Sequence, residues 1–156
     1  MSRISIKHIG SLGSISLDIK RVNVFMGPQA SGKSTIAKIV SQALWAEKNY
    51  LTLADEYDFY KGLLEFHNMD RNYFLDPRLE IVYVSPWCSI RMAYVKGKRL
   101  PQTTYRRLGN DAKELYHNTK IEYIPAERNF VASIENIQKY TGRYNNTVNF
   151  LADWYA

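Results

Sequence analysis

Nine consecutive residues, Gly27, Pro28, Gln29, Ala30, Ser31, Gly32, Lys33, Ser34 and Thr35, hold the densest chemistry in this chain. Their spacing, Gly-x-x-x-x-Gly-Lys-Ser, is that of a loop that cradles phosphate groups, the Walker A or P-loop pattern. Gly27 and Gly32 permit backbone angles closed to other residues and let the main chain come close to an anion. Successive amide groups can then point inward, and the positive end of a following helix adds to the same potential. Lys33 would place its ammonium on the β- and γ-phosphates of a nucleoside triphosphate, which makes it the expected catalytic group. Ser34 would offer its hydroxyl to Mg²⁺, and Thr35 would reach the α-phosphate. The expectation is a triphosphate bound through residues 27–35 with Mg²⁺ beside it.

Such a loop works only between a strand and a helix, and the flanking residues are patterned that way. Residues 22–26, Val-Asn-Val-Phe-Met, read as a short apolar strand entering the loop. After it, Ile36, Ile39, Val40, Ala43 and Leu44 recur at helical spacing, predicting a helix from Lys33 to about Lys48. Ahead of both, Ile4 and Ile6 alternate with polar residues, and the alternation resumes at Ile15, Leu17 and Ile19 after Gly10-Ser11-Leu12-Gly13. That predicts a hairpin. Leu53, Tyr57, Tyr60 and Leu64 suggest a second helix, residues 79–85 and 87–95 two strands, and Lys96-Gly97-Lys98 a turn between elements. Residues 101–118 show no clear period. Residues 120–124 read as a strand, and Asn129 and Asn146 stand before two further helical patterns, the last cut off at Ala156.

Composition narrows the field. The 156 residues suit one domain, and 46% hydrophobic content with 12 Tyr and 3 Trp argues for an ordinary packed core rather than disorder. Cys88 is the only cysteine, which removes a disulfide framework and points to a reducing, cytoplasmic setting; the residue itself reads as a small buried hydrophobe. No stretch approaches the roughly 18 apolar residues of a membrane span, and no signal-peptide core is seen. The net charge of +6 suits contact with polyanions, nucleic acid among them. The tightest basic cluster is Lys96, Lys98 and Arg99, followed by Arg106 and Arg107, and it also reads as a solvated hairpin tip.

The run from Ile15 to Lys38, with its hairpin and Val-Asn-Val-Phe-Met-Gly-Pro-Gln-Ala-Ser-Gly-Lys-Ser-Thr-Ile-Ala-Lys, resembles the start of an ABC-type ATPase head. It is most similar to the AAA-domain proteins grouped with the RecF, OLD and structural-maintenance-of-chromosomes ATPases. The later Ile121-Glu122-Tyr123-Ile124-Pro125-Ala126-Glu127-Arg128-Asn129 resembles a strand and turn of the same group. The resemblance implies an α/β P-loop NTPase fold, namely the N-terminal lobe of such a head with an antiparallel β-rich part. It implies ATP as the nucleotide. It also implies that residues 1–156 form a single ATP-binding domain, the N-terminal fragment of a longer ATPase that hydrolyses ATP when complete. A second copy or second lobe of the same ATPase would be the partner, and the output would be conformational, in DNA repair or defence.

The second lobe would bring the Walker B acid, the signature motif and the switch histidine, none of which is found in this chain. Leu51-Thr52-Leu53-Ala54-Asp55-Glu56 has the letters of a Walker B strand, but the spacing of Leu53, Tyr57, Tyr60 and Leu64 places it on a helix, with Asp55 a surface acid. Glu127, after the expected strand at 120–124, is open to a role beside the γ-phosphate or to an ion pair or cap with Arg128 and Asn129. His8, His67 and His117 stand far apart, as packing or surface residues do. Two alternatives remain from other classes. One is a small P-loop phosphotransferase, disfavoured by the twenty residues spent on a hairpin before the loop; the other is a non-catalytic nucleotide-sensing module.

Overall fold

The computed structural model describes residues 1–54, 56–109, 121 and 123. Alternating apolar residues in Ser2–Ile9 (β1) and Leu12–Ile19 (β2) build the expected hairpin, with Ile4 opposite Leu17 and Ile6 opposite Ile15. Glu80–Val84 (β3) pairs on the other side of β1, then Cys88–Ala93 (β4), then Gln102–Arg107 (β5). The strand order is β2-β1-β3-β4-β5, and every pairing is antiparallel.

Period-two patterning gives this sheet two unlike faces. On the inner face, Ile4, Ile6, Ile81, Tyr83, Ile90 and Met92 are buried. Lys33–Leu53 (α1) lays Ile36, Ile39, Ala43 and Ala46 into that core, and Phe59–Glu65 (α2) adds Phe59 and Leu63. The outer face carries ion pairs. Arg3 meets Asp18 at 2.7 Å, and Glu80 takes Lys7 on one oxygen and Arg91 on the other, each at 2.9 Å, which ties β1, β3 and β4 together side by side.

The two helices are separate where the sequence suggested one pattern through Leu53 to Leu64. Ala54 adopts a left-handed conformation, φ 53°, that ends α1, and the Asp58 side chain accepts from the Lys61 amide to start α2. Gly62 sits where the helices touch: a Cβ there would run into the Gln42 side-chain amide on α1, which would have to move aside. Glu56 accordingly lies in the connection, exposed, and not on a helix; Asp55 lies outside the described residues. Residues 101–118 conceal β5, whose only apolar inward residue is Tyr105, too little to reveal a period.

The expected P-loop architecture is overturned here. Residues 22–26 belong to no strand. Val22 and Val24 are each 74% exposed and Met26 87%, leaving Phe25 as the side chain of that segment packed against the core. Local chemistry closes the chain just before: Asn23 Nδ2 donates to the Lys20 carbonyl at 2.9 Å, and the Lys20 amide donates back to Asn23 Oδ1 at 3.3 Å. The described chain is thus an antiparallel sheet covered by two helices, an α+β arrangement. It lacks the parallel strand–helix–strand core of a P-loop NTPase or of an ABC-type ATPase lobe. The strand expected at 120–124 and the helices expected after Asn129 and Asn146 lie outside the described residues, apart from Ile121 and Tyr123, which are in no strand.

Candidate functional site

The glycine-rich stretch folds as an exposed turn that delivers the chain into α1. Three of its residues have positive φ: Gly27 at 154°, Ala30 at 62° and Gly32 at 86°. Gly32 is also the N-cap of α1 and offers no side chain to cap the helix, whose first intrahelical bond runs from the Ile36 amide to the Gly32 carbonyl at 2.9 Å. The hairpin sets the position of this turn, because Leu12 at the start of β2 lies against it. A Cβ on residue 32 would come within 2.6 Å of Leu12 Cδ2 and push that side chain aside, but it is the φ of 86° that favours glycine here.

Lys33 curls back into the turn. Its Nζ donates to the Gly27 carbonyl at 2.9 Å and to the Pro28 carbonyl, and it lies 3.3 Å from Ser31 Oγ. These partners are neutral, so the positive charge stays uncompensated beside the positive end of a helix that has no acid in its first turn. The sequence reinforces this local field, since no Asp or Glu occurs between Asp18 and Glu47. Ser34 is exposed, and Thr35 is buried under the first turn of α1. The loop residues named from sequence are therefore contiguous in space, with Lys33 folded over them. What the arrangement can do chemically is offer an ammonium and main-chain amides to a small oxyanion.

The rest of the expected site is corrected. ATP binding, ATPase activity and the Walker A, AAA-domain and ABC-type ATPase readings all required a loop fed by a strand of a parallel sheet. Residues 22–26 form no such strand, and among the described residues every strand pairing is antiparallel. The phosphotransferase and nucleotide-sensor alternatives presuppose the same core and fall with it. So does partnership with a nucleoside triphosphate or with a second ATPase lobe or copy, and so does the nucleic-acid output inferred with it. The Mg²⁺ expectation is corrected too: among the described residues, no three His, Cys, Asp or Glu side chains converge on a point that could hold a metal ion. Glu127, Arg128, Asn129 and His117 lie outside the described residues.

Of the histidines, His8 Nδ1 stands 3.8 Å from Asp76 Oδ2, and His67 is buried. Burial, with the Lys38 charge nearby, pushes the His67 imidazole down to about 3, so it packs as a neutral ring, edge-on to Tyr123 at 5.3 Å. Asp76 also binds Arg78 at 2.8 Å, and that guanidinium holds its carboxyl down at about 2. With His8, Leu12, Asn72 and Tyr73 it lines an open cavity of about 230 Å³ at the hairpin turn.

Sequence reading missed a polar cluster in the core. Glu47 is fully buried on α1, accepting from Tyr83 Oη at 2.6 Å and from Cys88 Sγ at 3.7 Å. Ser85 Oγ accepts from the Trp87 and Cys88 amides, both at 3.1 Å, closing the β3–β4 turn. Burial and the nearby carboxylate push the Cys88 thiol up to about 12. The signal was present, because position 47 continues the stripe of Ile36, Ile39 and Ala43 at helical spacing. No protein-family model, no curated protein and no solved structure matches this chain. Among the described residues no helix is long and apolar enough to cross a membrane.

Proposed function

We propose that residues 27–35 bind a single phosphate-class oxyanion, with Lys33 as the residue that engages it and the loop backbone as the cradle. The reading calls for no nucleotide, no metal ion and no reaction. One observation carries it: the Lys33 ammonium rests on the Gly27 and Pro28 carbonyls at the uncapped start of α1. Those contacts orient the charge without neutralising it. An oxyanion entering the turn gains a charge-assisted hydrogen bond from Lys33 and from Ser31, and amides at the helix start, in a stretch empty of acids. Gly27 and Gly32 supply the positive φ values the cradle needs, Gln29 and Ala30 form its tip, and Ser34 and Thr35 add hydroxyls at the first turn of the helix.

The reading carries a one-domain organisation for residues 1–156, supported by the single core that the sheet and both helices share. A cytoplasmic setting belongs to the same proposal, since the one cysteine is buried and has no partner for an internal disulfide.

Calorimetric titration with inorganic phosphate and with pyrophosphate tests it. Both are expected to bind, with roughly tenfold weaker binding in Lys33→Ala and an unchanged melting temperature, because one charge-assisted hydrogen bond is lost from an exposed site. Equal affinity in the wild-type chain and in Lys33→Ala would sink the assignment.

A further inference from the structure

Exposure is concentrated in one stretch of the chain. From Lys20 to Ser31 every residue except Phe25 is exposed, and Val22, Val24 and Met26 put three large apolar side chains into water in close succession. Single exposed apolar residues are ordinary on a protein surface, whereas a group of them rimmed by polar residues marks a place where something docks. This group is held in position. Phe25 packs against the core between Val24 and Met26, and the paired hydrogen bonds of the Asn23 side chain with the Lys20 main chain fix the N-terminal end. The outward side chains are therefore arranged beforehand, and little ordering is left to be done on contact.

Charge around the group has one sign. Lys20 and Arg21 precede it, Lys33 stands beyond it in the glycine-rich turn, and none of the three forms an ion pair among the described residues. Asp18, the last acid before the stretch, is already held by Arg3 at 2.7 Å, and no acid follows until Glu47.

We infer that residues 20–26 dock the protein on the surface of an anionic lipid bilayer, with the adjoining turn at 27–35 taking a headgroup phosphate; that headgroup contact rests on the oxyanion reading of the turn. A bilayer surface supplies, within one interfacial layer, phosphates for Lys20, Arg21 and Lys33 and an acyl boundary for Val22, Val24 and Met26. A nucleic acid would answer the cations and leave the apolar side chains in water. Each cation brought into the potential of an anionic surface strengthens adsorption about fivefold, so charge and apolar burial are both needed for binding by so short a stretch. Three side chains without a covalent lipid give reversible adsorption rather than insertion.

The test is cosedimentation with phosphatidylcholine vesicles, with and without phosphatidic acid, set beside calorimetric titration with inorganic phosphate. Wild-type protein is expected to sediment with the phosphatidic acid vesicles and to stay in solution with phosphatidylcholine alone. The triple variant Val22→Ser, Val24→Ser, Met26→Ser should bind those vesicles more than roughly tenfold more weakly and inorganic phosphate equally well. Lys33→Ala should lose affinity in both assays. Val24→Cys gives a readout that does not depend on the triple variant folding: an environment-sensitive dye there should shift to the blue on phosphatidic acid vesicles, while Cys88, being buried, stays unlabelled. The inference is overturned, and the phosphate site left standing, if wild-type protein binds phosphate but ignores the vesicles, or if it sediments while the dye stays in water. Sedimentation that needs the apolar residues, from a protein that binds no inorganic phosphate, would uphold the docking surface and remove the phosphate reading.

Discussion

Two neighbouring stretches with the same alternation meet opposite fates. Ile15, Leu17 and Ile19 lie on β2 and pack against the core, whereas Val22, Val24 and Met26, starting three residues later, point into solvent. Hydrophobicity does not separate them. The difference is a neighbour: β1 offers β2 a continuous register from Ser2 opposite Ile19 to Ile9 opposite Leu12, and no described strand pairs with residues 22–26. Alternation decides which way side chains point, and pairing decides whether a strand exists.

The largest expected effect tests the strand that makes the difference. Ile6 is fully buried at the centre of β1, so Ile6→Ala should destabilise the chain by about 2–5 kcal/mol, read as a lower urea midpoint. Loss below that range would mean that β1 does not anchor the sheet. Next comes acid. His67 is held neutral in the folded chain down to about 3, below its ordinary 6.5. Above pH 6.5 neither state carries the proton; between 6.5 and 3 the unfolded chain takes it up and the folded chain does not, so stability falls as pH falls. Between pH 7 and pH 5 the loss should be about 2 kcal/mol, and His67→Gln should flatten that slope. A slope unchanged in the variant would place the sensitivity elsewhere. The smallest effect sharpens the comparison directly: Leu17→Ser should cost about 1–2 kcal/mol, but Val24→Ser less than about 0.5 kcal/mol, because the exposed residue has little burial to lose. Equal losses in thermal melts would show that the two stretches are packed alike.

The same distinction explains what the sequence could reveal. The hairpin, the Lys96-Gly97-Lys98 turn, and the stripe of α1 are local patterns, and each is found where expected, with Gly97 at φ 84° in its turn. The loop at 27–35 was equally plain as spelling, and its residues do lie together. Its wider meaning failed because it depended on a parallel sheet, and residues 22–26 do not name their neighbours. The break at Ala54 escaped notice because alanine is an ordinary helix residue that here takes a left-handed angle. β5 escaped because Thr and Gln give little contrast between its faces. Glu47 sat on an apolar stripe, but only the fold brings Tyr83 and Cys88 to meet it.

Cys88 has a practical consequence of its own. It is the chain's single sulfhydryl, buried at the start of β4 and reluctant to ionise. An alkylating reagent must therefore wait for β4 to come away from its neighbours, and the pace of labelling is a stopwatch for that event. The molecule carries a native reporter of its own breathing, with no probe to be engineered.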